Sequence, residues 1–358
     1  MAVSPKKHRV AVFAFPFGGH AAALFALTCR LAAKAPHAIF SFFTTPCSKA
    51  SLSSSPRGPN HRLYAVADGV PDEYVFQGKP QEDIELFMKA TPGNFVGGRG
   101  ESGRDRCELL SHRFFSVVCG GDGGGDGGAV GDVLDQRRLQ LLGAPVSSKD
   151  EQLNIIPGFS KVRVGDLPDG VVWGRIDSLF SCLLHRMAKE SILRAAAVAI
   201  NTFEGLESTI LNDLRLKFPH KHCLPVGPLP PPHHPPQQHP HAACLALLDR
   251  FPPSPSPSVV YISFGTIKMP PPEELKALAE GLEESGVPFL WSLKEKAMED
   301  GLPEGFVERT KERGLVVPWA PQTMVLEHGA VGAFVTHFGW NSVLEGIAAG
   351  VPMSAARC

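Results

Sequence analysis

Between Trp319 and Cys358 the chain sets chemistry-bearing side chains at short intervals. An apolar run, Val331 to Val335, leads into Thr336-His337-Phe338-Gly339-Trp340, and Asn341-Ser342 then open an amphipathic stretch. This is the pattern of a strand, a tight turn and a helix. A helix N-terminus behind a glycine turn offers backbone N–H groups that lack intrahelical partners, together with the positive end of the macrodipole. It therefore binds anions, and phosphate is the expected ligand. His337, at the strand end, can donate to a phosphate oxygen, and Asn341 and Ser342 add donors. Glu345 follows Ser342 by three residues, shares its helix face and can accept from ribose hydroxyls. The same spacing also reads as a capping box, Ser342 with Glu345, at the start of an ordinary βα unit. Spacing alone leaves both readings open.

The stretch as a whole resembles the carboxy-terminal signature of plant UDP-dependent glycosyltransferases. The segments WAPQ, VLEH, VGAFVTH, GWNS, LE and GVP occur in that family's order and spacing. The resemblance implies an inverting enzyme that moves a sugar from a uridine diphosphate donor onto a small acceptor. It implies an α/β fold of two doubly wound Rossmann-like domains facing across a cleft, the GT-B arrangement. By that resemblance Trp319 stacks on the uracil, the Ala320 backbone bonds the base edge, and Gln322 and Glu345 hold the ribose. His337, Asn341 and Ser342 bind the diphosphate, and Trp340 flanks the sugar. The UDP-sugar is a co-substrate, and neither a further cofactor nor a metal is implied. Phe338 stands where the family usually has a cysteine. The family signature also runs four residues past Cys358 to an acidic residue and a glutamine that bind the sugar. The second domain is accordingly expected to be truncated, with Ser354 to Cys358 departing from the pattern.

A second candidate lies near the amino terminus. His20 follows a Gly18-Gly19 turn after the first apolar run, a place from which a loop residue reaches a ligand. The segment HRVAVFAFPFGGHAAAL is similar to the start of the flavonoid and anthocyanidin 3-O-glucosyltransferase branch, in which this histidine is the general base. An imidazole titrating near neutrality suits removal of a phenolic proton. PQEDIELFMKATPGNF (80–95) and PGFSKVRVGDLPDGVV (157–172) resemble acceptor-side segments of the same branch. There Gln81 matches a glutamine near the bound flavonoid. The family orients its base with an aspartate in a motif of the type SDAFF, whereas this chain has Ser111-His112-Arg113-Phe114-Phe115. A histidine at 112 cannot supply the anionic partner, so a catalytically inactive relic that keeps part of a UDP site is the alternative function.

The elements that must position these residues follow from patterning. Strand Arg9–Phe15, helix Ala21–Ala35 with Leu24, Leu27 and Leu31 on one face, and strand His37–Thr44 make a βαβ unit. SVVYISFGT (258–266) is again strand then glycine turn, and Thr266 there resembles the family's diphosphate-contacting hydroxyl. Its alternative is a plain turn. A helix over Pro272–Ser285 leads to strands at Pro288–Ser292 and Leu315–Val317. PVGPLPPPHHPPQQHPH (225–241) has polyproline character and reads as a linker. The expected domains are 1–224 for the acceptor, 225–257 as linker and 258–358 for the UDP-sugar. His233, His234, His239 and His241 lack a rigid frame and a carboxylate or thiolate companion, so they are not read as a metal site.

The run GGDGGGDGG (120–128) cannot hold a helix or bury a core. One permitted codon choice for Gly120 onward, advanced by one nucleotide, gives AEMAAEMAVPWVTFWT. That resembles the helix and strand the family has there, so residues 96–150 are read as aberrant and about Cys119 to Val146 as out of frame. Elsewhere the composition is that of a two-domain globular chain of 358 residues with net charge −1, which shows no nucleic-acid or anionic-membrane footprint. Eight cysteines without a CxxC pair argue against zinc and a disulfide framework and fit a reducing compartment. The first apolar run is too short for a signal peptide or membrane span. A cytoplasmic monomer acting on small molecules is expected. No GxGxxG follows the first strand, which disfavours a dinucleotide oxidoreductase.

Overall fold

The computed structural model describes residues 8–17, 19–75, 82–90, 117–118, 150–152, 162–167, 195, 197–229, 239–251, 258–265 and 269–355. Gln81, Thr266, the 111–115 segment, the glycine run and the stretch read as out of frame lie outside these. The chain divides into two compact units, the first mainly up to His233 and the second mainly from His234.

The first unit opens as the patterning predicts. Strand β1 (His8–Phe13), helix α1 (His20–Lys34) and strand β2 (Ala38–Thr44) form a right-sized crossover, and β1 and β2 pair in parallel. Helix α2 (Pro46–Leu52) then returns the chain to β3 (His61–Ala65), giving the parallel order β1-β2-β3. Alternation along β2 explains the layering. Phe40 and Phe42 bury against Leu24 and Phe25 of α1, while Phe43 points to the opposite face and stacks between Phe13 and Tyr64, each at 5.2 Å. Asn60 ties the end of α1 to the start of β2. Its side-chain amide donates to the carbonyls of Ala32, Ala35 and Ala38 at 2.9–3.2 Å, satisfying groups that a helix C-terminus leaves orphaned. Residues 82–90 form a further helix, α3. A second parallel sheet, β4 (Val117–Val118), β5 (Ala197–Ile200) and β6 (His222–Pro225), includes helix α4 (Glu204–Lys217) between its last two strands. Ala23 and Leu27 of α1 pack with Ala199 of β5, which joins the two sheets into one core.

One buried polar group gives this unit a pH dependence. His61 is 3% exposed, between the rings of Phe25 and Phe42. The Thr28 hydroxyl donates to the Phe25 carbonyl and so accepts from His61 Nε2 at 3.0 Å. Among the described residues Nδ1 has no hydrogen-bond partner, so the neutral tautomer fits and a proton there would be buried unpaired. Burial first, and the Arg57 charge second, lower the His61 pKa from 6.5 to about 4. The folded state thus binds fewer protons than the unfolded one between these values. Its stabilising effect is complete above pH 6.5 and is lost as pH falls towards 4, at up to about 1.4 kcal/mol per pH unit. Urea titrations of the wild type and His61→Gln at pH 7 and pH 5 should show the extra acid sensitivity in the wild type only.

The second unit is one five-stranded parallel sheet of order β11-β10-β7-β8-β9. The strands are β7 (Val259–Ser263), β8 (Phe289–Ser292), β9 (Gly314–Val317), β10 (Val331–Thr336) and β11 (Met353–Ala355). Period-2 alternation buries both faces, as a parallel sheet covered by helices requires. Tyr261, Leu290 and Phe334 point to one core, and Ile262, Phe289, Trp291 and Val335 to the other. The second face is covered by α6 (Pro272–Ser285) through Leu275, Ala279 and Leu282. Helix α6 carries proline at its first turn and Gly286 in the left-handed conformation just past its end, the asymmetry that bounds a helix on local grounds. Short helices α7 (Glu295–Gly301) and α8 (Phe306–Thr310) follow β8, and Phe306 stacks on Phe289 at 5.7 Å.

Part of the Pro/His-rich stretch expected to be linker is ordered. Residues His239–Leu248 form helix α5, and Cys244 and Leu248 are fully buried in the first of these cores. The apolar cluster Cys244-Leu245-Ala246-Leu247-Leu248 supplies what the preceding prolines cannot, an apolar face able to dock on a sheet. Cys29, Cys47, Cys223 and Cys244 are free thiols. Among the described residues no helix is long and apolar enough to cross a membrane.

Candidate nucleotide-sugar and catalytic sites

The strand–turn–helix pattern read in the sequence takes the expected form. Strand β10 ends at Thr336, His337-Phe338-Gly339 makes the turn, and helix α10 (Trp340–Ala349) begins at once. The helix N-cap is Gly339, and among the described residues no side chain caps it. Ser342 therefore sits inside the first turn, and the capping-box alternative does not hold. Ser342 and Glu345 are instead bridged by Gln322, the first residue of α9 (Gln322–Leu326). Its side-chain nitrogen donates to Ser342 Oγ at 3.1 Å and to Glu345 Oε2 at 2.9 Å. Burial raises the Glu345 pKa and the Gln322 hydrogen bond opposes that rise. The turn is tight enough to force Phe338 to φ +58°, a conformation that side-chain-bearing residues adopt only under constraint.

Neighbouring strands complete the geometry. Thr336 pairs with Ser263, so the loops that follow β7 and β10 emerge side by side at the carboxyl edge of the sheet, where ligands bind in such folds. Gly265 lies in the first of these loops with φ +74°, and a Cβ there would sit 2.7 Å from His337 Cε1 and 2.8 Å from Nε2. The imidazole thus packs directly on a bare backbone. Trp319 follows β9, a strand of the same sheet, and is 39% exposed, enough for an indole face to act as a stacking platform. Ala320 behind it is buried. Gln322, His337, Trp340, Asn341, Ser342 and Glu345 are all supplied by this one unit. Sequence reasoning missed Gly265 and Tyr261. The glycine was visible as the turn after β7, whereas nothing local to Tyr261 signals its bond to Gln322, 61 positions away.

His20 belongs to the first unit, as the first residue of α1 rather than the last of a loop. Its ring meets Phe15 edge-on at 5.4 Å. Phe15, Phe17 and Phe87 form an edge-to-face set with centroids 5.2–6.2 Å apart, an apolar cluster that includes the ring beside His20. Phe87 is carried by α3, which also buries Glu82, whose carboxylate accepts from the Tyr74 hydroxyl at 2.5 Å.

Comparison with known proteins places the chain in a family. Residues 139–356 match the family described as UDPGT, UDP-glucoronosyl and UDP-glucosyl transferase. The chain is 46% identical to a flavonol 3-O-glucosyltransferase of Arabidopsis thaliana over 368 residues, spanning 96% of this chain and 78% of that protein. It is likewise 46% identical to the anthocyanidin 3-O-glucosyltransferase UFGT of Vitis vinifera, with the same coverage. In three dimensions it resembles a crystal structure of a UDP-glucose:anthocyanidin 3-O-glucosyltransferase in complex with UDP. That likeness has a TM-score of 0.79 at 34% identity and covers 99% of this chain and 82% of the other. The α/β units and their parallel sheets are those of this fold. The chain belongs to the UDP-glycosyltransferase family of enzymes, and these relatives are flavonoid 3-O-glucosyltransferases.

Proposed function

We propose that this chain transfers glucose from UDP-glucose to the 3-hydroxyl of a flavonoid or anthocyanidin, with inversion at the anomeric carbon. The observation that carries the reading is the β10–turn–α10 junction, where His337 and an uncapped helix start stand beside the Gln322–Ser342–Glu345 network. Trp319 stacks on the uracil, the Ala320 backbone reads its edge, and Gln322 and Glu345 hold the ribose. His337, Asn341 and Ser342 take the diphosphate with Thr266, and Trp340 flanks the sugar. Gln81 contacts the acceptor. In the chemical step the acceptor oxygen forms a bond to C1 of glucose while the bond from C1 to the β-phosphate oxygen breaks. The acceptor's proton passes to the His20 imidazole. Charge developing on the departing UDP meets the N-terminus of α10 and His337, donors in place before the reaction begins.

The test is incubation of the purified chain with UDP-glucose and a flavonol, with the product's linkage position and anomeric configuration read by NMR. A β-linked 3-O-glucoside is the expected product, and an α-linked product or another position would sink the reading. One observation favours a second reading, a non-catalytic relic that still binds UDP. His112 stands where the family places the aspartate that orients the base. Quenching of Trp319 fluorescence by UDP without any glucoside would select it.

A further inference from the structure

Tyr261, Gln322, Ser342 and Glu345 come together from β7, α9 and α10, and chemistry fixes the direction of their hydrogen bonds. An ionised carboxylate only accepts, so the Gln322 atom 2.9 Å from Glu345 Oε2 is the amide nitrogen. The second hydrogen of that nitrogen serves Ser342 Oγ at 3.1 Å. The amide oxygen therefore faces Tyr261, whose hydroxyl, 3.3 Å away, must donate to it. Ser263, two residues further along β7, lies on the same sheet face. The ring of Tyr261 is 1% exposed and stacked on Phe334 at 5.0 Å, so its hydroxyl is held in place by packing.

We infer that Tyr261 is a positioning residue for the donor nucleotide, its hydroxyl locking the Gln322 amide and thereby fixing the Glu345 carboxylate as an acceptor for adjacent ribose hydroxyls. Among the described residues Gln322 is the hydrogen-bond partner of that carboxylate, and it engages Oε2. The remaining lone pairs are then aimed before the ligand arrives, which removes an ordering cost from binding. Without the tyrosine hydroxyl the amide oxygen loses its donor and the side chain is held from one end only, by Ser342 and Glu345, so it can swing out of line with the carboxylate. The inference rests on the second unit being the UDP site.

The experiment is calorimetric titration of the full chain with UDP and with 2′,3′-dideoxy-UDP, comparing the wild type with Tyr261→Phe. Phenylalanine keeps the ring and its stack on Phe334. The expected result is a rise in Kd of roughly three- to tenfold for UDP and no change for the dideoxy ligand. Equal weakening of both ligands marks a merely structural role, and that result, or no weakening of either, overturns the inference. If the wild type itself binds both ligands alike, the ribose assignment fails and the inference with it, an outcome separable from failure of Tyr261 alone. Should Tyr261→Phe not fold, replacing Tyr261 by 4-fluorophenylalanine keeps the volume of the hydroxyl without its proton and is expected to show the same ligand selectivity. Equal weakening there overturns the inference as well.

Discussion

With the proposed role as general base, replacing His20 by alanine should lower kcat for flavonoid glucosylation by roughly 10²–10⁴-fold, the range a positioned base supplies, and leave UDP affinity unchanged. The selectivity follows from where the residue sits. His20 opens α1 in the first unit, its ring edge against Phe15, whereas the Gln322–Ser342–Glu345 network belongs wholly to the second unit. Alanine is a strong helix former, so α1 survives the change. Initial rates at saturating donor and acceptor give kcat, and titration with UDP gives affinity. The residual rate should climb with pH, because an acceptor hydroxyl that ionises in solution no longer needs the imidazole. A variant that keeps near-wild-type turnover would exclude His20 as the base. Loss of UDP binding in the same variant would instead mean that the mutation had disturbed the fold.

The Gly265→Ala variant should bind UDP at least roughly tenfold more weakly, the scale of one lost charge-assisted hydrogen bond. Two costs act there. At φ +74° an alanine is strained by about 1 kcal/mol. Its Cβ would also approach His337 Cε1 and Nε2 to within 2.7–2.8 Å, closer than real contacts allow, so the imidazole must leave its place. Gly286 separates the two effects. It too has positive φ, at +70°, but a Cβ there meets nothing within 4 Å. Gly286→Ala should therefore lose a similar increment of stability while retaining UDP affinity. Thermal melts and calorimetric titrations on both variants decide the matter. Equal affinities in the two would mean that His337 does not touch the diphosphate.

Much of the second unit was legible because its signals are local. An apolar run closed by a glycine turn fixes β10 and the start of α10, and proline with glycine at the two ends fixes α6 over Pro272–Ser285, as patterning predicts. Alternation of side chains along β7, β8 and β10 requires a sheet buried on both faces. Helix α5 was hidden because prolines and histidines dominate the composition just before it, while the short apolar stretch that anchors it becomes decisive only when a sheet face is there to receive it. The short helices α7, α8 and α9 span 5–7 residues, too few turns to show a period of their own.

Spacing along the chain determined that Ser342 and Glu345 share a helix face, and left open whether they cap the helix or serve a ligand. Tertiary structure decided against the cap, since Gly339 holds the N-cap position and Gln322 bridges the pair. The order β11-β10-β7-β8-β9 sets Thr336 beside Ser263 and brings the Gly265 backbone against His337. Packing of α9 beside α10 then brings Gln322 within hydrogen-bond reach of Tyr261, Ser342 and Glu345, across sequence separations of 61, 20 and 23. Local patterning selects which element a segment forms because backbone geometry repeats over a few residues. Which distant side chains meet depends on strand order and close packing, and no short window of sequence contains either.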